Sequence, residues 1–319
     1  MGPIAKLLAQ RISLGLLLLF LVSIVIFAGT SILPGDVAQQ ILGQSATPEA
    51  LANLREELGV NDPPVTRYMN WLGGLLTGDL GTALTSGQSI NEAVGRRLAN
   101  TLFLAVCAAV VAVPLAIFLG LLAVRYQERW PDKLISASTL TTISMPEFVI
   151  GYIMMFIFGV QLRWFSPTAV SYRPDADFFT RLESIALPVI VLTLVVLAHM
   201  MRMTRAAILN VMQSAYIETA ELKGMSTFSV IRKHAFPNAI SPVVNVVMLN
   251  LAYLVVGVVV VEVVFVYPGM GQYLVDHVTK RDLPVVQACG IIFAAIYIGL
   301  NLVADVVSIL TNPRLRHPK

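Results

Sequence analysis

The chain has 319 residues, of which 56% are hydrophobic and 13% charged, with a mean hydropathy of +0.76. A soluble domain carries about 25% charged residues, so this composition excludes one and points to an integral membrane protein. A net charge of +3 without a basic–aromatic patch gives no ground for a nucleic-acid partner. Cys107 and Cys289 each stand alone in apolar stretches, with neither metal-ligand spacing nor a disulfide framework.

Residues 12–33 form the first apolar run, preceded by Lys6 and Arg11. It is longer than a signal-peptide core and no small-x-small cleavage site follows, so an uncleaved span is expected. Leu33-Pro34-Gly35-Asp36 ends it. Residues 37–97 are the longest polar segment. Pro48-Glu49-Ala50 opens a short helix with Leu51, Leu54 and Leu58 at helical spacing, stopped by Gly59. Asn61-Asp62-Pro63-Pro64 is a turn, and the aromatic, apolar stretch 68–76 is broken by Thr77-Gly78-Asp79. This segment reads either as a platform against which a delivery protein or substrate rests, or as a lid over the helix ends.

Further spans are expected at 98–124, with a kink at Pro114, and at 134–160, 185–201, 243–266 and 285–310. Six spans put both termini on one side. With the N-terminus inside, the cytoplasmic loops carry thirteen Lys and Arg against four acids, and the outer ones nine against about twelve. The positive-inside rule therefore places both termini, and the loop around residue 224, in the cytoplasm. The expected fold is all-α and polytopic. Residues 1–97 supply one transmembrane helix and an external segment, and residues 98–319 supply five helices with a cytoplasmic loop at 202–242.

That loop contains the stretch 215–244, AYIETAELKGMSTFSVIRKHAFPNAISPVV. Good helix formers run from Tyr216 to a stop at Gly224, placed where a left-handed residue ends a helix. Ser226 or Thr227 caps a second short helix, which Pro237 bends or ends. Ser241-Pro242 then reads as N-cap and first residue of the helix that re-enters the apolar phase. Two short helices at an angle suit an element that passes force from a soluble motor to membrane helices. Small residues such as Ala220 and Gly224 allow a partner backbone to come close.

The spacing resembles the EAA loop of ABC-importer permeases, in which E-A-A is followed at set intervals by G and then I-x-L-P. Glu218-Thr219-Ala220 stands at E-A-A, Gly224 at the glycine, and His234-Ala235-Phe236-Pro237 at I-x-L-P. Thr219, His234 and Phe236 depart from that consensus, but TAxxKG followed by KHAxxNAxxPVV looks like the peptide and nickel branch. LPGD after the first span, FVYPGMGQYLVDHVTKRDLPVVQ after the fifth and TNPRLR near the end extend the resemblance to dipeptide, oligopeptide and nickel permeases. The long segment between spans one and two is similar to the first of the two permease subunits in such systems.

The resemblance implies an ABC type I importer permease fold in a bacterial plasma (inner) membrane. It also implies a second, related permease, two ATPase subunits and an extracytoplasmic solute-binding protein, with membrane lipid around them. Glu218, Thr219, Ala220, Glu221, Lys223, Gly224 and Pro237 would form the loop that docks on an ATPase. ATP would be used by the partner subunits, and no cofactor or metal is expected on this chain. The chain has no G-x-x-x-x-G-K-[ST], H-E-x-x-H or G-x-S-x-G motif, so it is not expected to be an enzyme. The rival class is an ion-driven secondary transporter, which predicts inverted repeats and mid-span acids; no clear inverted repeat is visible.

Two acids are candidates for the transport pathway or its gate, because carboxylates in spans need a partner or a wet cavity. Glu262, inside VVVVEVVFVYPGMG, is either a gate near the external end or a hydrogen bond to a neighbouring helix terminus. Glu147, after Pro146, either meets an amino group or cation or is satisfied by nearby backbone or hydroxyls. Asp305, near the cytoplasmic end of the sixth span, is expected to pair with a cytoplasmic Arg or Lys. Arg202 and Arg205 are expected to anchor the fourth span to lipid head groups or complement its dipole. His199, followed by Met200, Met201 and Met203, reads as packing rather than a metal site.

Overall fold

Apolar runs long enough to satisfy their own backbone hydrogen bonds in lipid become helices, and in the computed structural model they do so throughout residues 3–32 and 37–311, which are the residues described. Helix α1 spans Pro3–Ile32, and the short helices α2 (Val37–Leu42), α3 (Pro48–Glu57) and α4 (Pro64–Thr77) follow. Thr47 caps α3 by accepting from the Ala50 amide, and Gly59 and Gly78 take left-handed conformations after α3 and α4. Tyr68 and Trp71 of α4 pack on Phe27 of α1, and Tyr68 Oη lies 2.9 Å from Ser23 Oγ. The polar segment is thereby laid on the first span. The LPGD stretch and residues 312–319 lie outside the described residues.

The long helix α5 covers Ile90–Arg125 and starts before residue 98, so a boundary at 97/98 falls inside it. It passes through Pro114 as one helix. Its packing partner is α9, Ala186–Met212, which runs well past Met201. Ala105, Ala108, Ala112, Ala116, Gly120 and Ala123 form a buried stripe at helical spacing along α5. Small residues let two membrane helices approach closely; a Cβ on Gly120 would meet Thr204 Cγ2 of α9 at 3.0 Å.

The expected single span at 134–160 is broken. Helix α6 (Trp130–Ser144) and the segment that begins with α7 (Glu147–Met154) and continues as a π-helical stretch to Gln161 meet at 104°. Pro146 donates no amide hydrogen bond and drives the residue before it out of the helical region; Met145 is extended, with φ −93° and ψ 133°. Ser and Thr dominate the approach to the break, over 136–144, and the apolar residues at 134–135 and from Phe148 onward make the two segments read as one span.

After α8 (Phe178–Ser184) and α9 come α10 (Ala215–Leu222) and α11 (Thr227–Val230), a π turn at Ile231–Ala235, then α12 (Phe236–Gly257) and α13 (Val259–Val264). Pro237 does not end the second short helix, and Ser241-Pro242 does not cap a new one. Pro237 sits in the first turn of α12, where a missing amide hydrogen costs nothing, and Pro242 lies inside α12. The wide π turn before Pro237 lets the chain run on, and Asn238 Nδ2 donates to the His234 carbonyl at 2.6 Å. Helix α14 (Met270–Lys280) and α15 (Leu283–Thr311) complete the chain. Among the described residues, five helices are long and apolar enough to cross a membrane, or six if the bent pair counts as one span.

Candidate functional site

The loop end of the bundle is built around α10 and α11. Ile217 and Ala220 of α10 are buried against Val124, Ile208, Val230, Ile231, Ala239 and Val243, so α10 is seated on its own bundle. Ala220 therefore faces its own bundle. Glu218, Thr219, Glu221, Lys223 and Gly224 are exposed, as are Tyr216, Leu222 and Phe228. Two hydrogen bonds close the end of α10: Gly224 N–H to Glu221 O at 2.8 Å, and Met225 N–H to Ala220 O at 3.3 Å. This is the Schellman arrangement, which needs a left-handed residue after the cap; Gly224 supplies it with φ +80°. A Cβ there would meet no atom within 4 Å. Ser226 caps α11 by accepting from the Ser229 amide.

Behind this surface, Arg205 of α9 forks onto Asp132 of α6, with Nε–Oδ1 2.9 Å and Nη2–Oδ2 2.8 Å. Asp132 is 4% exposed and also accepts from the Glu128 amide at 3.0 Å and from Ser136 Oγ at 3.3 Å. Arg205 thus fixes α9 to α6 rather than reaching for lipid head groups, while Arg202 is exposed. Asp132 is buried and Arg205 only half-buried, so removing the arginine leaves a buried carboxylate uncompensated and weakens the α6–α9 contact. Asp305 pairs with Arg11 of α1 at 3.2 Å, as its position near the end of the last span suggests. Both groups are substantially exposed, so that pair contributes about 0–1 kcal/mol.

At the opposite end, Glu262 is 0% exposed. Its carboxylate accepts from Thr101 Oγ1 at 2.6 Å and from the amides of Gly271 at 2.6 Å and Gln272 at 3.1 Å, while Thr101 Oγ1 accepts from Met270 N–H at 2.8 Å. The first amides of α14 have no partner within their own helix, and a carboxylate at that positive end is stabilised. Of the two readings open for Glu262, this geometry is the hydrogen bond to a helix terminus. It also explains the glycines of YPGMG: a Cβ on Gly269 would collide with the Glu262 carboxylate, and one on Gly271 would lie 2.6 Å from Val259 Cα. Asn100 Nδ2 donates to Pro268 O at 2.9 Å, and Tyr267 Oη donates to Asn100 O at 2.8 Å. Nearby, Asp282 is buried and accepts from the Leu84 and Thr85 amides and from Thr85 Oγ1.

Glu147 is different. It opens α7 at the 104° break and is half-buried. Among the described residues no backbone group, Ser or Thr donates to its carboxylate. His199 is exposed, Met200 and Met201 are buried, and no three His, Cys, Asp or Glu side chains among the described residues gather as a metal would need.

Thr101, Asn100, Asp132 and Asp282 were not legible as site residues. Their only sequence signal is polarity: Asn100 and Thr101 open an otherwise apolar stretch, and the two aspartates flank spans.

Residues 112–317 match the family described as binding-protein-dependent transport system inner membrane component, and residues 4–105 match the N-terminal segment of such membrane components. A putative peptide transport system permease protein of Brucella abortus (strain 2308) is 34% identical over 312 residues, covering 98% of this chain and 99% of that protein. The glutathione transport system permease protein of Salmonella typhimurium is 36% identical over 299 residues, covering 94% and 95%. A solved MetNI methionine ABC transporter in inward-facing conformations aligns at 18% identity with a TM-score of 0.49, covering 69% of this chain and 95% of that one. The chain belongs to the binding-protein-dependent transport system inner membrane components: it is a multi-pass membrane protein with the all-α fold of an ABC type I importer permease, and it serves as the permease subunit of such an importer.

Proposed function

We propose that this permease imports peptides or a similar small solute delivered by an extracytoplasmic binding protein, in a complex with a second permease and two ATPase subunits. The observation that carries the coupling part is the outward face of α10 and α11. Glu218, Thr219, Glu221 and Lys223 surround a left-handed Gly224 with open space above it. On this reading the ATPase settles on that face, Ala220 seats the helix from behind, and Pro237 starts the helix that carries the push into the membrane. Charge supports the orientation: in the six-span reading the loops on the side of α10 and α11 carry thirteen Lys and Arg against four acids, a bias that favours the cytoplasm for them and for both termini. The named functions of the relatives, peptide and glutathione transport, support the substrate class.

Glu147 is the pathway acid of this reading, and Glu262 is a joint rather than a gate. A half-buried carboxylate at the break of a membrane segment, with no hydrogen-bond donor of its own, suits a substrate ammonium. The test is uptake into proteoliposomes holding the full transporter, supplied with saturating binding protein and a peptide with either a free or an acetylated amino group. Uptake should need ATP and survive collapse of ion gradients; ATP-independent uptake that follows an ion gradient would favour the secondary-transporter class instead. A hydrogen bond to a charged group contributes roughly 1.5–3 kcal/mol. Glu147→Gln should therefore slow uptake of the free-amine peptide about tenfold or more and spare the acetylated one. Equal losses for both peptides would remove Glu147 from amine recognition.

A further inference from the structure

A groove of about 340 Å³ opens beside α10 and α11, between the last turns of α5 and the start of α12. Its walls are apolar: Phe118, Leu121 and Leu122 of α5, with Ile231 and Phe236 opposite. Its mouth is cationic. Arg125 at the end of α5 and Arg232 in the π turn both line it. Both guanidinium groups approach the same ring, Phe228, at 4.9 Å for Arg125 and 5.9 Å for Arg232. Neither makes an ion pair among the described residues; the nearby Asp132 carboxylate is committed to Arg205. Two like charges drawn to one ring without a carboxylate repel each other, and an anion between them relieves that repulsion. Stacking on an aromatic face also leaves the guanidinium N–H fork free for a phosphate.

We infer that this groove holds one anionic phospholipid, with an acyl chain along Phe118, Leu121 and Leu122 and its phosphate between Arg125 and Arg232. The vertical order of the groove favours a lipid over a soluble anion or a protein carboxylate. Phe118 to Leu122 continue the apolar stretch of α5, and Arg125 follows Leu121 by one turn, about 6 Å along the axis. Apolar wall and cationic rim therefore stand at the heights of an acyl chain and its head group. Basic pockets beside membrane helices favour anionic lipids for the same reason. A second groove, between α1 and α15, provides an internal contrast. It is also apolar and larger, about 590 Å³, but its Arg11 is neutralised by Asp305. It has the wall without the free positive charge and should not distinguish anionic from zwitterionic lipid.

The experiment uses the assembled transporter in detergent, with phosphatidylglycerol or phosphatidylcholine titrated in and bound lipid read by native mass spectrometry. Wild type should retain one phosphatidylglycerol per copy of this chain with at least tenfold preference over phosphatidylcholine, and millimolar inorganic phosphate should not displace it. Arg125→Gln with Arg232→Gln should lose that preference, whereas the paired change to Lys should keep most of it. Leu122→Trp, which fills the wall and leaves both charges, should also lose the retained lipid. Arg11→Gln should change nothing in the preference. Unaltered phosphatidylglycerol retention in both the double Gln and the Leu122→Trp proteins would overturn the inference. So would displacement by free phosphate, which would mean an anion site alone, or loss of an ATPase subunit rather than lipid from the double Gln protein, which would make the groove a protein contact.

Discussion

Glu262→Ala will yield a scarce, heat-labile complex, not an assembled transporter with altered uptake. The change strips the Thr101 hydroxyl and the Gly271 and Gln272 amides of their common acceptor at a site 0% exposed. Each buried donor left without a partner costs roughly 1–3 kcal/mol, and loss of a buried charged network as a whole falls at about 3–5 kcal/mol. Glu262→Gln should land between. Its amide oxygen can still accept from the α14 amides, but its NH2 group then faces Thr101, whose hydroxyl already accepts from Met270 N–H. The checks are the amount of complex recovered from membranes and its thermal midpoint. Normal recovery and midpoint with uptake lost would restore the gate reading.

Gly224→Val should abolish uptake while leaving membrane insertion and the amount of permease unchanged. Forcing a side chain into the left-handed region costs roughly 1–2 kcal/mol, and no internal clash adds to it, because nothing lies within 4 Å of the new Cβ. The apolar spans do not depend on this turn. The damage is therefore confined to the loop, where a branched side chain distorts the end of α10 and holds off whatever rests there. Asn tolerates the left-handed conformation, so Gly224→Asn separates the two causes: recovery of uptake with Asn assigns the loss to the strained turn, and failure with both assigns it to the occupied surface. ATPase co-purification and uptake, measured on the same preparations, check the outcome. Normal ATPase binding and uptake for the Val protein would take the coupling role away from this loop.

What the sequence disclosed and what it hid divide along the range of the interactions. The turn at Gly224, the cap at Ser226 and the short helix 48–57 depend on neighbours a few residues away, and their signals were legible. Apolar runs located the membrane helices because lipid demands only length and hydropathy. A proline inside a span can sit within a helix or break it, as Pro114 and Pro146 show, and the residues around it do not say which; past Pro237 the chain runs on because a π turn beforehand puts that proline in a first turn. Long-range partners left almost no trace. Thr101 is 161 residues from Glu262, and Arg205 is 73 from Asp132. A single sequence gives an acid in a span two meanings until its partner is seen, and for Glu262 that partner is the start of α14.

The most direct test of the coupling reading is a photo-crosslinking residue at Leu222. This side chain is 82% exposed at the end of α10, two residues before Gly224. The same probe at Phe179, 78% exposed on α8 before the fourth span, is the comparison. In membranes holding the full transporter, position 222 should give an adduct with an ATPase subunit and position 179 should give none. An ATPase adduct at 179, or an adduct between position 222 and the binding protein, would contradict both the orientation and the coupling role assigned to α10 and α11.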